Sequence, residues 1–226
     1  MTTHAQTPTT SPDSPVVAHH FDDYQQQVDS CVLGMWVFLV SEVMFFGGLF
    51  ATYMIYRLQY PAAFHAASRE LDITLGTINT LVLLTSSLTI ALAVRAAHLG
   101  RPRQVTLMLA LTWVLGAVFL AIKFTEYAHK VHEGHAPLLG LPFQYAGADA
   151  GPRRLFLGLY FGMTGVHALH MIIGLGLLAA LLRPAWHGKF QHGNVLPVEI
   201  TGLYWHFVDL VWIFLFPLLY LIDRGS

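Results

Sequence analysis

One acidic residue interrupts the first apolar run of the chain. Glu42 lies near the centre of residues 34–50, GMWVFLVSEVMFFGGLF, and the run stays apolar to residue 55. An ionised, unpaired carboxylate at the centre of a membrane span is energetically costly. Two interpretations remain open. Glu42 is either a protonatable group that serves proton movement or a lipid or partner contact, or a neutral acid that donates a hydrogen bond between helices.

Three histidines and an aspartate lie in later apolar runs. His167 and His170 are three residues apart, as are His206 and Asp209, so each pair is predicted to project towards similar sides of its helix. Imidazole ligates haem iron and copper, which makes a haem or metal site one hypothesis, and interhelical hydrogen bonding is the alternative. At 1.5 Å per residue, Glu42, His170 and His206 are expected at a similar membrane depth.

Other residues predict contacts that hold helices together. Lys123 and Glu126 are three residues apart near the end of an apolar run, which is typical of an ion pair that snorkels to the membrane surface. Asp209 is expected to pair with a neighbouring histidine or tryptophan N–H. The pattern Gly158-x-x-x-Gly162 predicts a close helix-packing face.

The composition indicates a helical membrane protein. Charged residues make up only 11% of the chain, hydrophobic residues 55%, and the mean hydropathy is +0.55. The apolar runs are continuous rather than alternating, which excludes a β-barrel pattern. The net charge of −1 gives no basic surface for nucleic acid. Cys31 is the single cysteine, so no internal disulfide and no cysteine-based metal site can form.

The pattern predicts one all-α domain of five transmembrane helices over residues 31–226. It follows a polar, partly disordered tail, residues 1–30, which contains no lysine or arginine and is not a secretory signal. Each apolar run approaches or exceeds the roughly 20 residues that a span needs. The predicted spans are 32–56, 75–97, 105–127, 155–182 and 198–222.

The loops set the expected boundaries and orientation. Arg183-Pro184 is expected to end the fourth apolar run and its helix, and Gly100-Arg101-Pro102-Arg103 to form a tight turn. Loop 129–153 is long enough to be a structured cap or a partner contact, and its histidines 129, 132 and 135 favour a solvated segment over a metal site. The arginine-rich short loop favours a cytoplasmic N-terminus and an external C-terminus.

Five segments, one in each span and in the same order, resemble subunit III of the haem–copper oxidases. The resemblance covers about residues 34–221. The segments are FLVSEVMFFGGLFATY (38–53), INTLVLLTSSLTIALA (78–93), TWVLGAVFLAIKFTEY (112–127), GMTGVHALHMIIG (162–174) and LYWHFVDLVWIFLF (203–216).

The resemblance implies an accessory role with no redox centre in this chain and no catalytic residue. Haem and copper are expected in partner subunits I and II. Subunit III is expected to support assembly, lipid binding and proton uptake by subunit I in a bacterial cytoplasmic membrane, with further respiratory subunits as possible neighbours. The positions that fall on the family motifs are Glu42, Glu126, His167, His170, Trp205, His206 and Asp209.

This chain departs from the seven-helix members in lacking their first two helices. In those members phospholipids lie in a cleft between the first two helices and the rest, so the cleft here is expected to be open or closed by a partner. The segment 41–43, SEV, resembles the cytochrome c oxidase form, with cytochrome c an indirect partner. A quinol oxidase or a nitric-oxide-reductase-associated complex is the alternative. Outside this family, a stand-alone proton carrier centred on Glu42 and a histidine-based electron carrier stay open.

Overall fold

A computed structural model describes residues 21, 23–132, 150–187 and 195–221, and every regular element within them is helical. Five helices are long and apolar enough to cross a membrane, which confirms the predicted fold class. The elements are α1 Tyr24–Gln59, α2 Pro61–Ser68, α3 Ile73–His98, α4 Pro102–His132, α5 Ala150–Trp186, α6 Leu196–Phe216 and a π-helical turn at Pro217–Leu221.

Side-chain caps and a glycine fix several helix ends. Asp23 accepts a hydrogen bond from the Gln26 amide at 2.7 Å, so α1 begins within the segment predicted as a polar tail. Asp72 caps α3 in the same way. Gly100, with φ of 62°, makes the turn into α4, a conformation that L side chains rarely adopt. Residues 1–20 of the predicted tail lie outside the described residues.

The helices extend beyond the apolar runs, and two boundary predictions were wrong. Pro184 lies inside α5, which continues to Trp186, because a proline near a helix end removes only one backbone hydrogen bond. The predicted loop 129–153 is shorter, since α4 reaches His132 and α5 begins at Ala150. The remainder of that loop, including His135, lies outside the described residues.

The segment between the first two spans holds the short helix α2, which the hydropathy pattern did not predict. Phe64 of α2 is fully buried, with its ring 5.6 Å from that of Tyr53 and 5.3 Å from that of Phe156. Arg153 pairs with Glu70 at 2.9 Å just after α2. The segment therefore closes this end of the bundle against α1 and α5.

Helix α6 forms the centre of the bundle and α1 its edge. In the most apolar stretch of each helix, 61% of α6 residues are buried but only 6% of α1 residues. Helix α6 packs mainly against α3 and α5 and less against α1, and its Trp205 side chain reaches α4. Side chains on α1 consequently meet the surroundings of this chain more often than its interior.

Trp205 of α6 packs where two glycines leave space. A β-carbon on Gly116 of α4 would lie 2.6 Å from the Trp205 ring, and one on Gly174 of α5 would lie 2.9 Å from it. By contrast, a β-carbon on Gly158 or Gly162 would meet nothing within 4 Å. The prediction that Gly158 and Gly162 form a packing face was wrong for contacts among the described helices, since that face of α5 is open.

Candidate functional site

Glu42 lies at the junction of α1, α5 and α6, beside His170. The carboxylate Oε2 is 3.2 Å from the imidazole Nε2, and the two side chains are 19% and 12% exposed. This is an ion-pair distance, but the contact does not satisfy hydrogen-bond geometry, so Oε2 has no hydrogen-bond partner among the described residues. The two side chains, which the sequence predicted at a similar depth, are thus in contact, and the pair retains unused hydrogen-bonding capacity.

The hydrogen bond on the far side of the imidazole constrains where protons can sit. His170 Nδ1 lies 2.9 Å from the Val166 carbonyl oxygen, and a carbonyl can only accept, so Nδ1 carries a hydrogen. Nε2 is then the ring nitrogen that faces the Glu42 carboxyl group.

Aromatic rings enclose the imidazole side of this pair. The Phe46 ring from α1 lies 5.4 Å from the His170 ring, and the Tyr204 ring from α6 stacks on it at 6.5 Å. The Tyr204 hydroxyl also donates to the His170 carbonyl oxygen at 2.9 Å. Three helices thus hold the histidine in place while Glu42 remains partly exposed at the edge.

His206 does not join this pair and contacts α3 instead. Its Nδ1 shares a hydrogen bond of 2.8 Å with the Ser87 hydroxyl of α3. One residue earlier, Trp205 donates from Nε1 to Ser86 Oγ at 2.9 Å. The α6 surface that carries both side chains therefore contacts α3, and membrane depth alone did not specify the direction in which His206 points.

His167 and Asp209 are buried without hydrogen-bond partners among the described residues. Both imidazole nitrogens of His167 and both carboxyl oxygens of Asp209 are unsatisfied, and the residues are 1% and 3% exposed. His167 packs against the rings of Trp212 and Phe119 at 5.3 and 5.6 Å. The interhelical hydrogen bond that was one alternative for His167 is thus not formed among the described residues, and neither is the predicted pairing of Asp209 with a histidine or tryptophan N–H. His167 also faces the interior, whereas His170 faces α1 and α6.

Lys123 and Glu126 form an ion pair, as predicted, but the pair is buried rather than snorkelling. Lys123 Nζ donates to Glu126 Oε2 at 2.8 Å, and the two side chains are 4% and 6% exposed. The Tyr160 and Tyr220 hydroxyls lie 3.3 and 2.9 Å from Nζ, and they donate to Glu126 Oε1 at 2.8 and 2.7 Å. The Trp212 ring lies 4.9 Å from the ammonium. All three ammonium donors therefore have partners.

Sequence reasoning missed both tyrosines of this buried cluster. Tyr160 belongs to α5 and Tyr220 to the π-helical turn after α6, so they come from segments 60 residues apart. The signal available in the sequence was a lysine and an acid inside a span, which require polar partners from other helices. Among the described residues, no group of three or more histidine, cysteine or acidic side chains is arranged to hold a metal ion.

Comparison with known proteins places this architecture in a family. Residues 17–223 match the family described as Cytochrome c oxidase subunit III. Cytochrome c oxidase subunit 3 of Thermostichus vulcanus is 34% identical over 90% of this chain and 92% of its own length. Quinol oxidase subunit 3 of Bacillus spizizenii is 32% identical over 90% and 93%.

A further relative is named for another quinol-oxidising complex. Cytochrome bo(3) ubiquinol oxidase subunit 3 of Pseudomonas aeruginosa is 29% identical over 92% of this chain and 93% of its own length. The relatives thus include subunits of cytochrome c oxidases and of quinol oxidases. The subunit III family has no redox cofactor of its own. The protein is a multi-pass membrane protein that belongs to the cytochrome c oxidase subunit III family.

Proposed function

We propose that this protein is the non-redox subunit III of a proton-pumping haem–copper terminal oxidase in aerobic respiration. In this role it supports the assembly of subunits I and II, binds lipid and assists proton uptake by subunit I. The observation that carries the proposal is the Glu42–His170 pair, which joins α1, the least buried helix of the bundle, to α5. A carboxyl–imidazole pair at the edge of the chain is accessible to a neighbouring subunit.

Cytochrome c is the electron donor that we propose for the complex. The SEV sequence at residues 41–43 supports this choice through its resemblance to the cytochrome c oxidase form. The relatives include quinol oxidases as well, so a quinol-oxidising complex is the competing proposal. We further propose a bacterial cytoplasmic membrane location with the N-terminus inside, which the arginines 95, 101 and 103 at the α3–α4 turn support.

Purification of the complex tests the proposal. A tagged full-length chain, isolated from native membranes in mild detergent, is expected to bring subunits I and II and a haem spectrum with it. Reduced cytochrome c is expected to be oxidised by the preparation, and a quinol is not. Recovery of the chain without a haem protein would contradict the subunit assignment, whereas oxidation of quinol alone would overturn only the choice of donor.

A stand-alone proton carrier is the candidate of another class, and the contact between the Glu42 carboxyl group and the His170 imidazole within the membrane-spanning helices is the observation that favours it. The isolated protein in liposomes would then conduct protons, and the Glu42→Gln variant would not. We expect no flux from the isolated wild-type chain. Flux that Glu42→Gln abolishes would establish the carrier in place of the accessory role.

A further inference from the structure

The α3–α4 turn carries two arginines beside an apolar groove on the outer surface of the bundle. Arg95 lies in the last turn of α3, and Arg101 lies just before α4. Both are exposed and line a groove of about 430 Å³ between the two helices. Leu92, Leu99 and Met108 contribute to its apolar wall. The groove therefore has the two arginines at one end and an apolar wall along the rest of it.

Neither guanidinium is engaged by the described part of the protein. No ion pair or side-chain hydrogen bond links Arg95 or Arg101 to another described residue. Glu199, an acidic residue at the same end of the bundle, pairs instead with His98 at 2.7 Å. No acidic side chain lines the groove, and Gln104 adds a neutral amide to it. The cationic end thus has free capacity for an anion.

We propose that this groove binds an anionic phospholipid, with its phosphate between Arg95 and Arg101 and part of an acyl chain along the leucines. Guanidinium groups bind phosphate through paired, charge-assisted hydrogen bonds. Basic pockets between membrane helices recognise anionic lipid headgroups at the membrane boundary. The exposed fractions of Leu92 and Leu99, 39% and 53%, show that the wall is open to an acyl chain.

The shape and charge of the groove favour a lipid over a free phosphate or a protein segment. A free phosphate would contact the arginines but would leave the apolar wall uncovered. An acidic protein segment would need apolar side chains of its own to cover that wall. A phospholipid has an anionic head and an apolar chain in one molecule, in the same order as the groove.

Photo-crosslinking in native membranes provides the test, and it does not depend on the oxidase assignment. Membranes that contain the tagged full-length chain are loaded with a photoactivatable phosphatidylglycerol or with the phosphatidylcholine of identical chains. After illumination, the chain is purified and its labelled peptides are identified. We expect phosphatidylglycerol to label residues 92–108, and phosphatidylcholine to label them much less.

Substitution of the two arginines makes the test specific. R95Q/R101Q is expected to reduce labelling of residues 92–108 roughly tenfold, because both headgroup contacts are lost. Arg154→Gln removes an exposed arginine at the opposite end of the bundle and is expected to leave the labelling unchanged. The proposal would be overturned if the two lipids label the groove equally or if R95Q/R101Q leaves the labelling unchanged. It would also be overturned if Arg154→Gln reduces the labelling as much, or if a partner protein covers the groove and no label reaches it.

Discussion

Two acid–base pairs within the membrane-spanning helices differ in how completely the protein satisfies them. Lys123 and Glu126 are 2.8 Å apart in the interior, where two tyrosine hydroxyls satisfy both charges. Glu42 and His170 are 3.2 Å apart at the edge, and Glu42 Oε2 has no hydrogen-bond partner among the described residues. The charged groups of the interior pair all have partners, whereas the edge pair has an oxygen, Glu42 Oε2, that is available for a further contact.

This difference separates a structural role from a functional one. A buried charge that loses its partner destabilises the fold, so replacing either Lys123 or Glu126 alone is expected to lower the stability of the protein. A partly exposed pair that balances its own charge can exchange a proton without unfolding the surrounding helices. We therefore expect substitutions in the Lys123–Glu126 cluster to alter stability first, and substitutions at Glu42 to alter activity first.

The largest effect is expected from Lys123→Met. The variant leaves the Glu126 carboxylate buried without its counter-charge, which is expected to lower the free energy of unfolding by about 3–5 kcal/mol. The double variant K123M/E126L removes both charges and is expected to recover most of that loss. Unfolding of the detergent-solubilised chain, followed by circular dichroism, measures both. Equal stability of wild type and Lys123→Met would show that the closed network contributes nothing.

Glycine substitutions provide the next largest contrast. Gly116→Ala places a methyl group against the Trp205 ring and is expected to cost about 1–3 kcal/mol through overpacking. Gly162→Ala is the matched control, since its methyl group meets open space and alanine favours helix. Thermal unfolding of the isolated chain should show a lower midpoint for Gly116→Ala alone. A loss of similar size in both variants would disprove this assignment of the packing face.

A smaller effect is expected at the contact between α3 and α6. Ser87→Ala removes the hydrogen bond to His206 Nδ1 and is expected to cost about 1 kcal/mol. Ser41→Ala is a suitable control, because the Ser41 hydroxyl donates only to the Phe38 carbonyl within its own helix. The comparison uses the same thermal measurement. Identical midpoints for Ser87→Ala and Ser41→Ala would argue against a contribution from the Ser87–His206 contact.

The fold was predictable from the sequence because hydropathy and length determine membrane spans. The first four predicted runs lie within helices that are longer than the runs, and the fifth follows its helix to Leu221, where the described residues end. The helix ends were less predictable, since polar residues extend a helix once a cap such as Asp23 supplies its first hydrogen bonds. The helix α2 escaped prediction because it is only eight residues long and is held in place by Phe64 packing in the core.

The candidate site was predictable in its residue types and less so in its contacts. The sequence predicted a similar depth for Glu42, His170 and His206, but depth does not give the rotation of a helix and so did not specify which of them pair. Residues three apart differ by about 60° around the helix axis, which is enough to turn His167 inward and His170 towards α1. The same limitation explains why Gly158-x-x-x-Gly162 was predicted as the packing face of α5. The glycines that contact the Trp205 ring are instead Gly116 of α4 and Gly174 of α5.

The smallest effect on stability is expected from Glu42→Gln. The amide is neutral, similar in size and partly exposed, so the free energy of unfolding should change by less than about 1 kcal/mol. His170→Ala is the companion variant, and it should cost more because the Phe46 and Tyr204 rings lose their packing partner. A large destabilisation by Glu42→Gln would make the edge pair structural, like the interior pair.

The rate and lifetime of turnover in the intact oxidase complex test the central claim most directly. Complexes that carry wild-type, Glu42→Gln or Lys123→Met subunit III are assayed for initial oxygen consumption and for its decay during continuous turnover. We predict that Glu42→Gln assembles fully, begins at nearly the wild-type rate and loses activity sooner, whereas Lys123→Met assembles poorly. A Glu42→Gln complex with the wild-type rate and lifetime would contradict a functional role for the Glu42–His170 pair.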